Sequence, residues 1–173
     1  MSFNLILLLC VCLFHRRVLD VGCSVGVSTT YLAQAFPQAP SVVGLDLSPH
    51  FLVRTWKHAN IEHAPYADCA FDLVCSSFMF HELPQTAARA VLREMVRLVA
   101  PGGWVAITDI NPQSPVIQGL PPALFTLMKS TEPWSDQYYA LDMGAALAEA
   151  GFEAVEAVPT DPRHHAVFGR KKA

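Results

Sequence analysis

The chain has 173 residues, of which 52% are hydrophobic and 16% charged, and its formal net charge at pH 7 is −3. This length and composition favour one globular domain with a real core and argue against two domains or a disordered chain. The net charge provides no basic surface, so we expect no nucleic-acid partner. The five cysteines show no CxxC spacing, so we expect neither a metal site nor a disulfide framework.

Residues 1–17 are an apolar leader in which a hydrophobic run, residues 5–14, is followed by basic residues. The run is shorter than the ~20 apolar residues that a membrane span needs. A signal peptide carries its charges before the apolar run and a small-residue cleavage site after it, unlike this leader. We therefore expect no stable membrane span, no secretion and a soluble protein of the cytoplasm or a plastid. A buried strand, a disordered start and a defective gene start stay open for the leader itself.

Strands and helices alternate along residues 18–173, which we take as a single domain. Apolar and β-branched runs predict strands at Arg17–Val21, 42–47, Phe71–Ser77, 104–110, 154–158 and 165–169. Apolar spacing and end signals predict helices at 28–36, from Pro84 to just before Pro101, and from the cap Asp142 to Gly151. The alternation favours an open, mostly parallel sheet covered on both faces, with the last two strands as an antiparallel hairpin.

The segment VLDVGCSVG, residues 18–26, places small residues and Asp20 at the turn between the first strand and the first helix. Small residues let a backbone approach a ligand closely, and the helix start offers free N–H groups. Asp46 ends the second strand, where a carboxylate can accept two hydrogen bonds from ribose hydroxyls. These features indicate an adenosine-containing ligand without separating a dinucleotide from another adenosine cofactor.

The details of the loop favour a cofactor other than a dinucleotide. The dinucleotide fingerprint is G-x-G-x-x-G, and the run DVGCSVG has no third glycine at that spacing. The acidic residue before the turn suits an ammonium or a sulfonium group, whereas it would repel a pyrophosphate. A nucleotide-dependent oxidoreductase is therefore the less favoured alternative.

At this point the sequence resembles the class I S-adenosylmethionine-dependent methyltransferases of type 11, in the small-molecule branch that includes quinone-biosynthesis enzymes and their plant and algal relatives. The likeness runs from about Val18 to the end and rests on VLDVGCSVG, VVGLDLSP, HANIEHAPYADCAFDLV, SSFMFHEL, LVAPGGWVAITD and the C-terminal AGF. It implies a Rossmann-like α/β fold with a C-terminal antiparallel hairpin. It also implies S-adenosylmethionine as cofactor and an enzyme that transfers a methyl group to a small, apolar acceptor.

The resemblance implies a role for each residue of the predicted site. The methionine part of the cofactor would be surrounded by Asp20, Gly22, Cys23, Ser24 and Gly26. Asp46 would bind the ribose, Leu47 would flank the adenine, and Asn60 would meet the adenine amino group. The transferable methyl group would be bordered by Ser76, Ser77 and Phe78.

Ser24 stands where the family usually has glycine. A serine fits that position if its φ is negative, whereas a left-handed conformation would cost about 1 kcal/mol or more.

His81 is the candidate catalytic residue. It follows the fourth strand on the ligand side of the sheet, and it could accept a proton near neutral pH if the acceptor has to lose one. It could equally bind backbone or frame the site. The apolar, proline-rich segment 111–134 is either a lid over the acceptor or ordinary packing, and the oligomeric state also stays open.

The chain is shortened, relative to the family, between the second and third strands. Only residues 48–54 precede the next family strand, WKHAN, so the usual second crossover helix is lacking. Seven residues reach only about 23–25 Å, so we expect the third strand to be displaced or to pair differently, with one sheet face uncovered. An alternative transcript or an imperfect gene model would produce such a chain. The alternative function is a nonenzymatic or cofactor-binding-only domain.

Overall fold

The computed structural model of the chain describes residues 16–51 and 56–173. Most of the leader and residues 52–55 therefore lie outside the described residues. The strands are β1 (Arg17–Val21), β2 (Ser41–Asp46), β3 (Trp56–His58), β4 (Phe71–Ser77), β5 (Val99–Ile110), β6 (Phe152–Pro159) and β7 (His164–Lys171). The α-helices are α1 (Val27–Ala35), α2 (Gln85–Leu98), α3 (Pro115–Gln118), α4 (Pro122–Thr131), α5 (Ser135–Tyr139) and α6 (Met143–Ala150). None of these helices is long and apolar enough to cross a membrane.

The strands form one sheet in the order β3-β2-β1-β4-β5-β7-β6. Neighbouring strands among β1 to β5 run parallel, whereas β7 is antiparallel to both β5 and β6. The chain leaves β1 toward one edge of the sheet and returns through β4 toward the other. The carboxyl ends of β1 and β4 therefore form the switch point at which open sheets bind ligands. The predicted fold, a mostly parallel sheet with a C-terminal antiparallel hairpin, is confirmed.

Helices cover both faces of the sheet, but not equally. On one face α2 buries an apolar stripe that consists of Ala88, Val91, Leu92, Met95 and Leu98. On the opposite face α1 contributes Leu32, which packs with Leu73 and Phe168 in a smaller cluster. Burial of each large apolar side chain contributes about 1.5–3 kcal/mol, so the face beneath α2 holds most of the core.

Local signals set the helix ends, whereas pairing sets the strand ends. Asp142 accepts a hydrogen bond from the Ala145 N–H at 2.9 Å, and Gly151 ends α6 with a φ of +119°. β5 begins at Val99 rather than at Trp104, because Val99 already pairs with Phe71. A register shift before the next pair accommodates the intervening proline and glycines.

β3 corrects one expectation about the shortened connection. It is neither displaced nor differently paired, because its three residues run parallel to the end of β2, from Gly44↔Trp56 to Asp46↔His58. β3 begins opposite Gly44, only two residues back from the end of β2 at Asp46. The connection therefore has to cover a short distance along the strands and the ~4.8 Å between neighbouring strands. The described part of this connection contains a 3-10 turn, Pro49–Phe51, and no α-helix.

Candidate functional site

A tight loop, residues 22–26, joins β1 to α1 at the switch point. Gly22 and Gly26 have φ values of +70° and +83°, which glycine adopts without strain. A Cβ atom at Gly22 would lie 2.5 Å from the sulfur of Met79, so a larger residue would collide there. The N–H groups of Gly22 and Cys23 donate to the Leu45 carbonyl at 2.8 and 3.2 Å, which fastens the loop to β2.

Asp46 joins this loop to the end of β2. Its Oδ2 accepts a hydrogen bond from the Ser24 N–H, and its Oδ1 accepts one from the Ser48 N–H, both at 2.8 Å. Ser24 has a φ of +48°, so the strained alternative for this serine is the one that occurs. Each carboxylate oxygen has a further lone pair, so Asp46 can hold the loop and still accept hydrogen bonds from a ligand.

Asp20 lies fully buried beneath the loop. Its Oδ2 accepts hydrogen bonds from the hydroxyls of Ser28 and Thr29 at 2.5 and 2.6 Å. Its Oδ1 has no hydrogen-bond partner among the described residues. The pKa of Asp20 is raised to about 6, mainly by burial and to a smaller extent by the charge of Asp46, while the hydrogen bonds from Ser28 and Thr29 oppose this shift. A buried acceptor without a partner is costly, and a cationic ligand would offset that cost.

A cavity of about 290 Å³ opens between this loop and the end of β4. Five of the predicted cofactor residues line it: Gly22, Cys23, Ser24, Ser77 and Phe78. Its remaining lining residues are Val25, Val27, Ser28 and Tyr31. The site therefore brings together the loop after β1 and the turn after β4.

The other predicted cofactor residues lie around this cavity rather than in its wall. Ser76 is buried at the end of β4, and Gly26 caps α1. Leu47 is 65% exposed directly after Asp46. Asn60 uses its side-chain oxygen to cap the 3-10 turn Ile61–His63, accepting from the Glu62 N–H at 2.9 Å. An adenine amino group would have to share that oxygen.

His81 does not line the cavity. It is buried in a 3-10 turn, Phe80–Glu82, directly after β4. Its ring Nδ1 lies 2.7 Å from Asp109 Oδ1, and Asp109 Oδ2 accepts hydrogen bonds from the N–H groups of Phe80 and His81. Burial lowers the pKa of His81, but the hydrogen bond and charge of Asp109 outweigh it, so the pKa is raised. The hydrogen bonds to Asp109 thus hold His81 in the turn, and the raised pKa makes its imidazole more basic.

Segment 111–134 contains the helices α3 and α4, so its expected helical character is confirmed. Leu124 and Leu127 on α4 are exposed. A second cavity of about 470 Å³ lies between α5, the start of α6, the end of β6 and the start of β7. It shares no lining residue with the first cavity, so it is separate from the predicted cofactor residues.

Sequence reasoning missed three side chains that shape the site. Asp109 is the only carboxylate in the apolar run WVAITDI, and this polar residue at the end of a buried strand was an available signal. Met79 packs on Gly22. His164 pairs with Asp161 at 2.7 Å, and its ring centroid lies 5.0 Å from that of Phe78. No local pattern indicates the contacts Met79–Gly22 and His164–Phe78, because each of them joins distant segments.

These residues fit S-adenosylmethionine on two observations. Asp20 Oδ1 is a buried acceptor without a partner among the described residues, and Asp20 and Asp46 together favour a ligand that carries positive charge. The loop residues Gly22, Cys23 and Ser24 also line a cavity of about 290 Å³ that a ligand can enter.

Comparisons with known proteins agree with this chemistry. The sequence model of the methyltransferase domain family matches residues 19–107. An uncharacterised methyltransferase of Synechocystis sp. is 34% identical over 149 residues, which make up 81% of this chain and 68% of that protein. The arsenite methyltransferase of Halobacterium salinarum is 29% identical over 162 residues, which make up 84% of this chain but 39% of that protein. The chain thus spans less than half the length of this second relative.

The fold recurs in a phosphoethanolamine N-methyltransferase of Haemonchus contortus, solved in complex with S-adenosyl-L-methionine. The TM-score is 0.74 at 17% identity, and the likeness covers 99% of this chain and 53% of that chain. At this identity the likeness shows the fold alone, whereas the family match covers half of the sequence. The chain therefore belongs to the methyltransferase domain family, and it is an S-adenosylmethionine-dependent transferase with S-adenosylmethionine as its cofactor.

Proposed function

We propose that residues 18–173 form one methyltransferase domain that transfers a methyl group from S-adenosylmethionine to a small, apolar acceptor. The cavity at the carboxyl ends of β1 and β4 is the observation that supports this proposal. Its wall combines the glycine loop with the turn after β4, and Asp46 ties that loop to β2 through the Ser24 N–H. Transfer to an acceptor is an in-line displacement, so the main task of the protein is to position two molecules.

The predicted cofactor residues divide by their place around the cavity. We infer that Asp20, Gly22, Cys23, Ser24 and Gly26 hold the methionine part. Asp46, Leu47 and Asn60 lie at the ends of β2 and β3, and we assign them to the ribose and the adenine. Ser76 and Ser77 end β4 and Phe78 follows it, and we assign these three residues to the neighbourhood of the methyl group. When bound, the cofactor supplies the methyl group on a sulfonium.

Exposed apolar side chains at the cavity support an apolar acceptor. Val25, Val27, Tyr31 and Phe78 line it, and each is at least 45% exposed. Such a cluster is typical of a surface that a ligand covers. The arsenite methyltransferase and the phosphoethanolamine N-methyltransferase are named for very different acceptors. Their names therefore do not indicate which acceptor this chain uses. We expect no nucleic acid here, since the formal net charge is −3.

His81 is our candidate for the proton acceptor where the methyl acceptor must lose a proton. Asp109 holds the Nδ1 side of the ring at 2.7 Å, which leaves Nε2 as the basic atom. Nε2 lies 4.0 Å from the exposed carboxylate of Glu82, and the side chain of His81 is itself 11% exposed. His81 lies only three residues after Phe78, which lines the cavity.

Calorimetric titration of the purified chain with S-adenosylhomocysteine tests the cofactor site. We expect saturable binding to the wild type, and binding to Asp46→Ala that is about tenfold weaker or worse, since hydrogen bonds to charged groups contribute about 1.5–3 kcal/mol. Asp136→Ala is the matched control, because Asp136 is an exposed carboxylate on α5 that pairs with Lys129. Its affinity should equal that of the wild type.

Two outcomes would contradict the proposal. A folded wild type that does not bind S-adenosylhomocysteine would favour a nonenzymatic domain, an alternative that the family match does not favour. Thermal stabilisation by NAD instead of S-adenosylhomocysteine would favour an oxidoreductase. A soluble protein of the cytoplasm or a plastid stays a prediction that fractionation of the source cells can test.

A further inference from the structure

Trp56 packs against the cofactor loop from the far side of β2. It begins β3 directly opposite Gly44, and a Cβ atom at Gly44 would lie 2.6 Å from Trp56 Cε3. A Cβ atom at Gly26 would overlap the six-membered ring of the indole and lie 2.7 Å from its Nε1. The indole therefore fills the gap between β2 and the start of α1, and it fits only because both neighbours are glycine.

The gap that Trp56 fills is next to the connection in which the crossover helix is lacking. The described part of residues 47–55 contains no α-helix, and the indole packs on Gly44 of β2. Its Nε1 is buried and has no hydrogen-bond partner among the described residues. A buried donor without a partner is unfavourable, so apolar packing must determine where the ring lies.

The same contacts reach the residues that form the predicted cofactor site. A Cβ atom added to Gly44 would lie 2.8 Å from Cys23 Sγ and 3.0 Å from Thr29 Oγ1, and it would also contact the indole. Cys23 lines the cavity, and Thr29 donates a hydrogen bond to Asp20. The indole, Cys23 and Thr29 therefore all pack around Gly44, next to the loop and the buried carboxylate.

We propose that Trp56 is a positioning residue for the cofactor loop and takes the place of the missing crossover helix. The inference rests on the proposed cofactor site and adds a residue that lies outside its cavity. Gly26, with a φ of +83°, packs on the indole, so the ring restrains the loop that lines the proposed cofactor cavity. Without the ring, the loop gains conformational freedom that binding must remove.

The affinity for S-adenosylhomocysteine, measured by calorimetry, tests this role. Trp56→Ala should bind about tenfold more weakly, whereas Trp56→Phe, which keeps an aromatic ring, should stay within about threefold of the wild type. Trp104→Phe is the matched control, because Trp104 packs on Phe168 and should leave the affinity unchanged. Wild-type affinity in a folded Trp56→Ala would overturn the inference and leave the proposed function standing. No binding by the wild type would overturn both.

A second experiment needs no ligand and stays informative if Trp56→Ala is unstable. In the wild type, Gly26→Ala should lower the melting temperature by several degrees, because the three atoms nearest to its Cβ all belong to the indole of Trp56. In a Trp56→Leu background the same substitution should cost less, since the contact with the indole is gone and only the strain of the positive φ remains. Equal losses in both backgrounds would show that the indole does not fill the gap and would overturn the inference.

The fluorescence of Trp56 supplies a third readout. In Trp104→Phe/Trp134→Phe, Trp56 is the single tryptophan of the chain. Its emission should change on titration with S-adenosylhomocysteine, with the midpoint that calorimetry gives. Emission that stays constant through saturation would contradict a contact between Trp56 and the loop that binds the cofactor.

Discussion

Ser24 adopts a backbone conformation that usually belongs to glycine. Its φ of +48° directs its N–H toward Asp46 Oδ2 at 2.8 Å. Hydrogen bonds to charged acceptors are stronger than those between neutral groups, so this bond offsets part of the strain. The residue shows that the loop conformation is maintained by its neighbours and not by the preference of Ser24.

Replacement of Ser24 by glycine should stabilise the protein. Release of a strain of about 1–2 kcal/mol outweighs the added flexibility of the unfolded chain, which costs about 0.4–1 kcal/mol, so we expect a net gain of about 0.5–1 kcal/mol. Urea unfolding at pH 7 measures this difference. Ser24→Ala is the control, because it keeps Cβ and its strain, and a stability equal to that of Ser24→Gly would show that no strain is released.

At the scale of elements, Asp109 joins the turn after β4 to the end of β5. It accepts hydrogen bonds from the backbone N–H groups of Phe80 and His81, and also from that of Ile110 at 2.7 Å. Asp109 is 1% exposed, so water cannot replace it. One carboxylate thus fixes the turn that carries the candidate catalytic residue and determines which ring nitrogen of His81 is engaged.

Asp109→Asn should lower the pKa of His81. Burial alone lowers this pKa, and the hydrogen bond and charge of Asp109 are what raise it above the ordinary value. We therefore expect the His81 ring, followed by NMR through a pH titration, to lose its proton at a lower pH in the variant than in the wild type. Glu82→Gln, which removes an exposed and more distant charge, should shift the pKa less. An unchanged pKa in Asp109→Asn would contradict the assignment.

At the scale of the whole molecule, the buried carboxylate of Asp20 makes stability depend on pH. Asp20 lies on the central strand β1, which pairs with both β2 and β4. Its folded pKa of about 6 exceeds the ~3.9 of an unfolded chain. The folded state therefore binds more protons than the unfolded state between these values, and its stability falls as pH rises through that window.

Asp20→Asn should remove this contribution. The difference in unfolding free energy between wild type and variant should fall by up to about 3 kcal/mol from pH 4 to pH 6 and stay constant above it. Urea unfolding across this range measures the difference. Asp161→Asn is a control of opposite sign, because hydrogen bonds from the Arg163 N–H and His164 lower the pKa of Asp161. A pH-independent difference for Asp20→Asn would contradict the raised pKa.

Sequence alone predicted the elements whose information is local. β1 and β4 were predicted to the residue because buried parallel strands are short apolar runs. The ends of α6 were predicted because Asp142 and Gly151 act on the nearest turn of the helix. The resemblance predicted the cofactor class, and five of the eleven predicted cofactor residues line one cavity.

Tertiary structure alone decided the features that depend on distant partners. β3 pairs in parallel with β2 because a strand of three residues requires the chain to run back over a shorter distance than a full-length strand would. The pairs Trp56–Gly26 and His81–Asp109 join residues that lie 30 and 28 positions apart. The periodicity of apolar residues in the sequence does not indicate such contacts. The sequence determined the alternation of strands and helices from local patterns, and its resemblance to a known family determined the family and the cofactor. The folded chain decided which side chains fix the loop, since packing and strain depend on atoms brought together only by folding.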